Sequence, residues 1–244
     1  GRELRKFFAG AQGNLLVDAD YSQIELRVLA HVADDPAMKE DFVEGRDIHT
    51  ATAARVFGMP TEMVTKDMRS KAKAVNFGIV YGIGAFSLSK DIGVSRKEAD
   101  DYIKGYLRNY AGVDAYMKRV VEEAKEKGYV ETLFGRRRYL PELKSGNFNL
   151  RSFGERVALN MPIQGTAADI IKIAMIRVSD RLEKEGLQGK LILQVHDELI
   201  VECPPQEREQ VVRILQEEME GAVCLSVPML AEAGWGRTWY DAKG

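Results

Sequence analysis

The 244-residue chain has two cysteines, which are too few for a disulfide framework or a cysteine-rich zinc site. No apolar run approaches the roughly 20 residues of a membrane helix and no secretory leader is visible, so we expect no contact with a membrane. An excess of positive charge is also missing, because 35 Lys and Arg residues face 37 Asp and Glu residues. A dedicated nucleic-acid binder is usually basic, so any contact with nucleic acid has to come from local clusters.

The order of apolar patterns along the chain predicts an α+β fold. Strands are predicted at residues 15–20, 191–195, 199–203 and 227–233, and a hairpin at 129–140. Helical periodicity dominates from 35 to 129, and further helices are predicted at 23–33, 149–161, 164–185 and 205–220, with Pro162 between the second and third of these. Strands near both ends around a long helical block indicate a small sheet that carries a helical insertion.

Two acidic residues stand at the ends of predicted strands, Asp20 before a helix and Asp197 at the tip of a hairpin. If both strands belong to one sheet, the carboxylates can hold two divalent ions about 3.5–4 Å apart, which suits phosphoryl transfer. Mg²⁺ needs only one or two carboxylates when phosphates and water complete its shell. Taken alone, each acid is better explained as a helix cap or a turn residue. Periodicity leaves Asp18, Glu25 and Glu198 as alternative acids.

The segment 65–81 predicts a helix with two faces. At about 100° per residue one face is apolar and should pack on the core, and it consists of Met68, Ala72, Val75 and Ile79. Another face carries two cations and then two aromatic rings at four-residue spacing, namely Arg69, Lys73, Phe77 and Tyr81. Such a stripe could bind a triphosphate and then stack on a base. On periodicity alone, aromatic residues covered by another element are the more frequent arrangement.

Further basic and amide side chains could contact nucleic acid. Arg136 and Arg137 lie between aromatic residues in the predicted hairpin, which fits phosphate contact but also a solvated strand edge. Asn160 and Gln164 flank the proline, where a freed helical turn would expose amides to base or sugar edges unless they only cap the next helix. Arg156 lies one turn before Asn160 and would point the same way.

Six segments carry the most specific signal: DYSQIELR (20–27), DIHT (47–50), RSKAKAVNFGIVYG (69–82), LFGRRR (133–138), QGTAAD (164–169) and QVHDE (194–198). Together they resemble the signature motifs of the A-family DNA polymerases, the family of bacterial DNA polymerase I, over essentially all of the chain. The resemblance implies an antiparallel palm sheet with a large helical fingers insertion, the α+β fold of right-hand polymerases. It places the palm at residues 1–35 and 149–244 and the fingers at 36–148.

By this resemblance the chain is expected to carry out template-directed DNA synthesis. It would add dNTPs to a primer 3′-OH by two-metal-ion nucleotidyl transfer and release pyrophosphate. The resemblance implies two Mg²⁺ ions, with Mn²⁺ as a substitute, held by Asp20 and Asp197, with the Tyr21 carbonyl as a further ligand and Glu198 in support. Asp18 is left with a structural role. The implied partners are primer–template DNA and dNTPs, bound by a monomer in the bacterial cytoplasm at the nucleoid.

The resemblance also implies which side chains bind the substrates. Those expected to bind the dNTP are Arg69, Lys73, Phe77, Tyr81, His49, Gln23 and Glu25. Lys73 is implied as a catalytic proton donor to the leaving pyrophosphate. Glu25 would exclude a ribose 2′-OH and so favour DNA synthesis over the RNA synthesis of single-subunit RNA polymerases. Contacts with primer or template are implied for Arg156, Asn160, Gln164, His196, Arg136 and Arg137.

One feature of the family is missing from the sequence. The thumb and the first part of the palm precede the Asp20 motif in the family, whereas here about 14 residues precede its strand and the first of them is Gly1 rather than Met. The sequence therefore predicts a fragment without a thumb, weakly active or inactive alone. Two other functions stay open. A metal-dependent nuclease would leave the stripe on 65–81 unexplained, and a DNA-binding fragment without catalysis would leave the two acids without a task.

Overall fold

The computed structural model describes residues 2–243, which form two compact units. Unit 1 contains the residues up to Ile24 together with those from Ala167 onward, and unit 2 is Glu25–Thr166. The two units are defined by the contacts between their residues. The palm and fingers borders at 35 and 148 were predicted from the resemblance to the family, and they stay a prediction.

The chain forms ten α-helices and six strands within the described range, which confirms the α+β prediction. The helices are α1 Ile24–Val32, α2 Pro36–Val43, α3 Ile48–Phe57, α4 Lys66–Val80, α5 Ala85–Ile92, α6 Arg96–Asn109, α7 Ala111–Lys127, α8 Phe148–Lys184, α9 Arg208–Glu220 and α10 Trp239–Lys243. The strands are β1 Leu15–Tyr21, β2 Tyr129–Glu131, β3 Arg137–Tyr139, β4 Lys190–Val195, β5 Glu198–Cys203 and β6 Ala231–Gly236. Short 3-10 helices lie at Arg2–Phe7, Thr61–Met63, Pro141–Lys144 and Pro205–Glu207. No helix in residues 2–243 combines the length and apolar character needed to cross a membrane.

Unit 1 is built on an antiparallel sheet with the strand order β4-β5-β1-β6. Alternate residues of a strand face opposite sides of a sheet. The Tyr21 hydroxyl donates to the Met219 carbonyl on the α9 side (2.6 Å), whereas Leu16 packs with Trp239 of α10. Helices therefore cover both faces of β1, and Asp18 and Asp20 lie on the same face as Leu16.

The last strand, β6, begins at Ala231, four residues later than the start of the predicted range 227–233. The pattern was misleading because β6 contains Gly234 and Gly236, which ordinarily weaken a strand. Both glycines are required by the close approach of α10. A Cβ atom on Gly234 would lie 2.2 Å from the Ala242 carbonyl oxygen, and one on Gly236 would lie 2.4 Å from the Asp241 Cβ.

The predicted break at Pro162 is wrong, because α8 runs without interruption through 37 residues. A proline inside a helix removes one hydrogen bond and costs about 3 kcal/mol. Burial offsets this cost here, since Pro162 and the neighbouring Ala158 and Ile163 are all buried. The Thr166 hydroxyl also donates to the Pro162 carbonyl (2.5 Å). The helix therefore keeps its course, and no freed turn exposes the amides beside the proline.

Unit 2 contains α4, the helix predicted to have two faces, and three of the four residues predicted for its core face are buried, whereas Met68 is only partly buried. Thr65 caps α4 by accepting a hydrogen bond from the Met68 backbone N–H (3.2 Å). Ala72, Val75 and Ile79 are buried. The predicted hairpin at 129–140 is also present, with β2 and β3 paired antiparallel.

Candidate active site

Three carboxylates meet at one end of the sheet in unit 1. Asp20, near the end of β1, lies directly opposite Glu198, the first residue of β5. Asp197 lies in the two-residue turn before β5, where His196 has a positive φ of 53°. The Asp197 carbonyl accepts a hydrogen bond from the Tyr21 backbone N–H (3.1 Å), which ties this turn to β1. The structure therefore brings Asp20 and Asp197 to the same end of the sheet, with Asp197 in the turn between two strands.

Burial and mutual repulsion make this cluster electrostatically unfavourable. Burial raises the pKa of Asp197 to about 6, and the negative charge of Asp20 acts in the same direction. Burial also raises the pKa of Asp18 to about 6, against the opposing charge of Lys243 and a hydrogen bond from the Trp239 indole (2.9 Å). Acidic residues held this close attract a cation strongly, because a bound positive charge removes the repulsion.

A lysine supplies one such positive charge. The Lys243 ammonium donates to Asp20 Oδ2 (2.7 Å) and to Glu198 Oε2, and it lies 3.8 Å from Asp18 Oδ1. This lysine was not among the predicted site residues. Nothing in its local sequence indicates the role, since it lies 223 positions from Asp20 and only the fold brings the two together.

The carboxylates fit a divalent metal ion. Asp20 Oδ1 and Glu198 Oε1 are buried and have no hydrogen-bond partner within residues 2–243. Such oxygens are the hard ligands that Mg²⁺ prefers. No group of three or more His, Cys, Asp or Glu residues in the described chain is arranged to hold a metal ion by itself. The fit is therefore to an ion whose shell is completed by substrate oxygens and water, as is usual for Mg²⁺. The Tyr21 side chain is engaged with Met219, so Tyr21 could contribute only through its backbone.

The stripe on α4 faces outward, so the alternative in which it packs into the interior is wrong. Arg69 and Lys73 are exposed, Phe77 is half-buried and Tyr81 is exposed. Arg69 makes a bidentate ion pair with Asp47, with Nε 2.9 Å from Oδ1 and Nη2 2.7 Å from Oδ2. Burial alone would raise the pKa of Asp47, but the hydrogen bonds from Arg69 and Thr50 outweigh burial and hold it well below its usual value.

The aromatic end of the stripe borders a cavity of about 640 Å³ within unit 2. Its lining includes Phe77, Tyr81, Gly82 and Arg156. This volume lies within the usual range of small-molecule sites, roughly 300–1,000 Å³. The Tyr81 hydroxyl donates to Glu25 Oε2 (3.0 Å), so this acid in the first turn of α1 is held beside the stripe. Gln23, just before α1, adopts a positive φ of 52°.

His49 is buried, which the sequence did not reveal. Its ring is 3% exposed and lies 5.8 Å from the Phe77 ring between centroids. Burial, helped by the positive charges of Arg69 and Lys73 and opposed by the negative charge of Asp47, lowers the pKa of His49 to about 4. The imidazole is therefore neutral near pH 7 and offers a single N–H donor.

A chain of buried hydrogen bonds is satisfied when the His49 proton lies on Nε2. The Tyr110 hydroxyl lies 3.3 Å from Asp41, a carboxylate that two arginines also contact, so the hydroxyl donates to Asp41. The Thr52 hydroxyl lies 3.1 Å from the Tyr110 oxygen and can donate to it. Thr52 then accepts from the Asn76 amide (3.1 Å), whose Nδ2 also lies 3.0 Å from His49 Nδ1. In this arrangement His49 Nδ1 accepts and Nε2 holds the proton.

The buried state of His49 predicts a specific loss of stability in acid. The unfolded chain protonates His49 near its ordinary pKa of 6.5, whereas the folded chain does so only near 4. Its neutral form therefore stabilises the fold fully above pH 6.5, and that contribution falls by up to about 3 kcal/mol as the pH drops to 4. The free energy of unfolding in urea, measured at pH 7.5 and at pH 5, checks this. We expect its change between the two pH values to be smaller in His49→Asn than in the wild type. The asparagine keeps an acceptor for Asn76. An unchanged difference would contradict the buried neutral ring.

The predicted nucleic-acid residues divide into outward-facing and anchored groups. Arg156, Asn160 and Gln164 follow one another at four-residue spacing on α8, and Arg156 and Gln164 are exposed. His196 is exposed on the hairpin turn of unit 1. In contrast, Arg136 donates to the Gly165 carbonyl (2.8 Å).

Arg137 is likewise engaged within the hairpin. It donates to Glu131 (3.1 Å) and lies over the Tyr129 ring, 4.5 Å from its centroid. Arg136 and Arg137, the two arginines of this run predicted to contact DNA, therefore both have contacts within unit 2.

Comparison with known proteins places this arrangement in a family. Residues 1–241 match the sequence model of the family described as DNA polymerase family A. The chain belongs to this family. DNA polymerase I of Bacillus caldotenax and that of Geobacillus stearothermophilus are each 54% identical over 244 residues, which are 100% of this chain and 28% of each relative. The chain thus spans under a third of the length of these polymerases.

A solved structure of the family has the same fold. The POL domain of Pol1 from M. smegmatis, in complex with DNA primer-template and dNTP, matches 100% of this chain and 43% of its own chain. The TM-score is 0.96 at 41% sequence identity. The right-hand polymerase fold expected from the motifs is therefore confirmed for this family A chain.

Two contributors to the site escaped prediction. Asn76 lies next to Val75 on the buried side of α4, and an amide on an apolar face is a detectable signal that a buried polar partner exists. Lys243 had no such signal, because its partners are remote in sequence.

Proposed function

We propose that this chain carries out the nucleotidyl-transfer step of template-directed DNA synthesis. It would add dNTPs to a primer 3′-OH with two Mg²⁺ ions, or Mn²⁺ in their place, and release pyrophosphate. The observation that carries the proposal is that Asp20 and Asp197 lie at the same end of the sheet, where Asp20 keeps a buried oxygen without a hydrogen-bond partner in residues 2–243. Membership of DNA polymerase family A supports nucleotidyl transfer as the reaction at these acids.

The acids of unit 1 would hold the metal ions. Asp20 and Asp197 would bind through carboxylate oxygens, the Tyr21 carbonyl would add a ligand, and Glu198 would support the site. Divalent ions stabilise negative charge on a transferring phosphoryl group and orient its oxygens. The role of the chain is to supply oxygens that are already partly desolvated, so that little reorganisation is needed when the substrate arrives.

The stripe on α4 would bind the nucleotide. Arg69 can exchange Asp47 for triphosphate oxygens, because a guanidinium pairs with phosphate in the same bidentate manner as with carboxylate. Lys73 would contact the phosphates and donate a proton from Nζ to the leaving pyrophosphate. Phe77 would pack on sugar and base, and Tyr81 would occupy the template-base position before the nucleotide binds.

Three further residues would complete nucleotide binding. His49 can donate to a phosphate only through Nε2, since Nδ1 is engaged with Asn76. Gln23 and Glu25 would lie against the sugar, with Glu25 held by the Tyr81 hydroxyl. We infer that this hydrogen bond keeps the Glu25 carboxylate where it excludes a 2′-OH.

Primer and template would be contacted by α8, where Arg156 and Gln164 are exposed and Asn160 is partly buried, and by the β4–β5 turn. Arg156, Asn160 and Gln164 offer a guanidinium and two amides at helical spacing, which suits phosphate and base-edge contacts. His196 would contact the growing end. Arg136 and Arg137 would add phosphate contacts where their ties within unit 2 leave donors available. We propose that the protein acts as a monomer on DNA in the bacterial cytoplasm.

An end-labelled primer annealed to a longer template separates the three candidate functions. With Mg²⁺ and all four dNTPs, a polymerase lengthens the label, a nuclease shortens it, and a binding fragment shifts the duplex on a native gel without changing its length. Because the sequence predicts a fragment without a thumb, we expect weak lengthening, which requires dNTPs and is absent in Asp197→Ala. Shortening in the wild type, or lengthening retained by Asp197→Ala, would overturn the proposal.

The bond between Tyr81 and Glu25 predicts two graded effects on sugar choice. Glu25→Ala removes the carboxylate that excludes a 2′-OH, so we expect rNTP incorporation relative to dNTP to rise by roughly 10- to 100-fold. Tyr81→Phe removes only the hydroxyl that holds Glu25 and should raise it less. Competitive incorporation of matched rNTP and dNTP measures both effects. An unchanged preference in Glu25→Ala would remove Glu25 from sugar selection.

A further inference from the structure

Lys243 lies among three acidic side chains, where its positive charge reduces their mutual repulsion. Its ammonium contacts Asp20 and Glu198 directly and lies 3.8 Å from Asp18. Asp20 and Glu198 face each other across neighbouring strands, an arrangement that destabilises a sheet when both residues carry the same charge. Arg5 is the next cation, at 3.8 Å from Glu198 Oε1.

The fold holds Lys243 in this position through α10. Trp239, four residues earlier on the same helical face, donates its indole N–H to Asp18 (2.9 Å) and packs edge-on against Phe8. The glycines of β6 let the last turn of α10 approach the sheet closely. The lysine is therefore held by the helix on which it lies, and its side chain is only 23% exposed.

The contacts of Lys243 divide the oxygens of each acid into two groups. One oxygen of Asp20 and one of Glu198 accept from the ammonium, while the second oxygen of each is buried and accepts no hydrogen bond within residues 2–243. A divalent ion that binds Asp20 therefore meets a positive charge already bound to the same carboxylate. The two cations repel each other, and this repulsion lowers the affinity of the site for the metal ion.

We propose that Lys243 is an internal counter-ion that stabilises the acidic cluster without metal and competes with a divalent ion for Asp20. It is a positioning residue, because it acts through the carboxylates and not on the substrate. The proposal rests on the proposed function only in assigning Asp20 as a metal ligand. The consequence is that the resting site binds metal weakly, and that the additional charge of a nucleotide triphosphate favours full occupancy.

Calorimetric titration of the metal-free protein with Mn²⁺, without DNA or nucleotide, tests the proposal. Lys243→Met should bind Mn²⁺ at least roughly tenfold more tightly than the wild type, the effect of removing one charge about 6 Å from a divalent ion even at the dielectric constant of water. Lys243→Arg keeps the charge and should bind with near wild-type affinity. Lys184→Met, at an exposed lysine of unit 1, is the matched control and should change nothing.

Thermal unfolding gives a second readout that does not depend on activity. Without metal, Lys243→Met should unfold at a lower temperature than the wild type, and saturating Mn²⁺ should raise its midpoint by more. Lys243→Gln repeats both measurements if the methionine variant fails to fold. Equal or weaker Mn²⁺ binding by the neutral variants would overturn the proposal.

A further variant separates this failure from failure of the metal assignment. If Asp20→Asn abolishes Mn²⁺ binding while Lys243→Met leaves the affinity unchanged, only the counter-ion role is wrong. If Mn²⁺ binding survives Asp20→Asn unchanged, Asp20 is not a metal ligand, and both proposals are wrong.

Discussion

Asp20→Asn or Asp197→Asn should abolish primer extension, lowering its rate at least roughly a thousandfold. Asparagine has nearly the same shape as aspartate but carries no charge, so the fold keeps its packing while a metal ion loses its attraction to the site. The effect should be large because these two side chains are proposed to hold the metal ions that stabilise the developing phosphoryl charge. Single-turnover extension of an annealed primer with Mg²⁺ measures the loss.

The control for this result is Asp100→Asn, the same substitution at a partly exposed α6 residue paired with Lys104. It should extend primers at the wild-type rate. Circular dichroism and urea unfolding should show that all three variants are folded. Extension within a few-fold of the wild type by either active-site variant would disprove its role as a metal ligand.

Phe77→Tyr should largely remove discrimination against dideoxynucleotides while leaving normal extension nearly unchanged. The half-buried Phe77 ring, next to His49, is proposed to lie against the 3′ carbon of the incoming sugar. A dNTP carries a 3′-OH that satisfies its own polar neighbours, whereas a ddNTP leaves a gap that a phenyl edge cannot fill. The tyrosine hydroxyl restores a hydrogen bond worth about 1–3 kcal/mol, which corresponds to roughly 5- to 150-fold in selectivity.

Competitive chain termination at matched dNTP and ddNTP concentrations measures this ratio. Phe148→Tyr, at a 72% exposed phenylalanine of α8, adds the same hydroxyl away from the stripe and should leave the ratio unchanged. Equal discrimination by the wild type and Phe77→Tyr would show that Phe77 does not touch the sugar.

The parts of the site that sequence predicted depend on local patterns. β1, the β4–β5 hairpin and α4 were located from the alternation or periodicity of adjacent residues, which the backbone geometry of strands and helices imposes directly. The outward face of Arg69 and Lys73 follows from the same periodicity. The roles of these residues came from motif resemblance, because neither charge nor spacing specifies a nucleotide.

The parts that sequence could not predict depend on contacts between distant segments. β6 was misplaced because its glycines accommodate α10, and α8 was divided because the packing that compensates for Pro162 lies outside the local pattern. The burial of His49 depends on Asn76 of another helix. Lys243 lies 223 positions from Asp20 along the chain, so no window of the sequence contains that pair.

The ion pair between Arg69 and Asp47 has a consequence for ionic strength. When a phosphate takes Arg69, Asp47 still accepts hydrogen bonds from the Thr50 backbone N–H (2.8 Å) and hydroxyl (2.7 Å), so it is not left without partners. The exchange replaces one exposed ion pair with another. Added salt screens both ion pairs to a similar extent. Because the Arg69 guanidinium is already paired with Asp47 before the phosphate arrives, phosphate binding releases no counterion from it. Arg69 should therefore contribute little to the salt dependence of nucleotide affinity, and the steeper share should belong to the exposed Lys73.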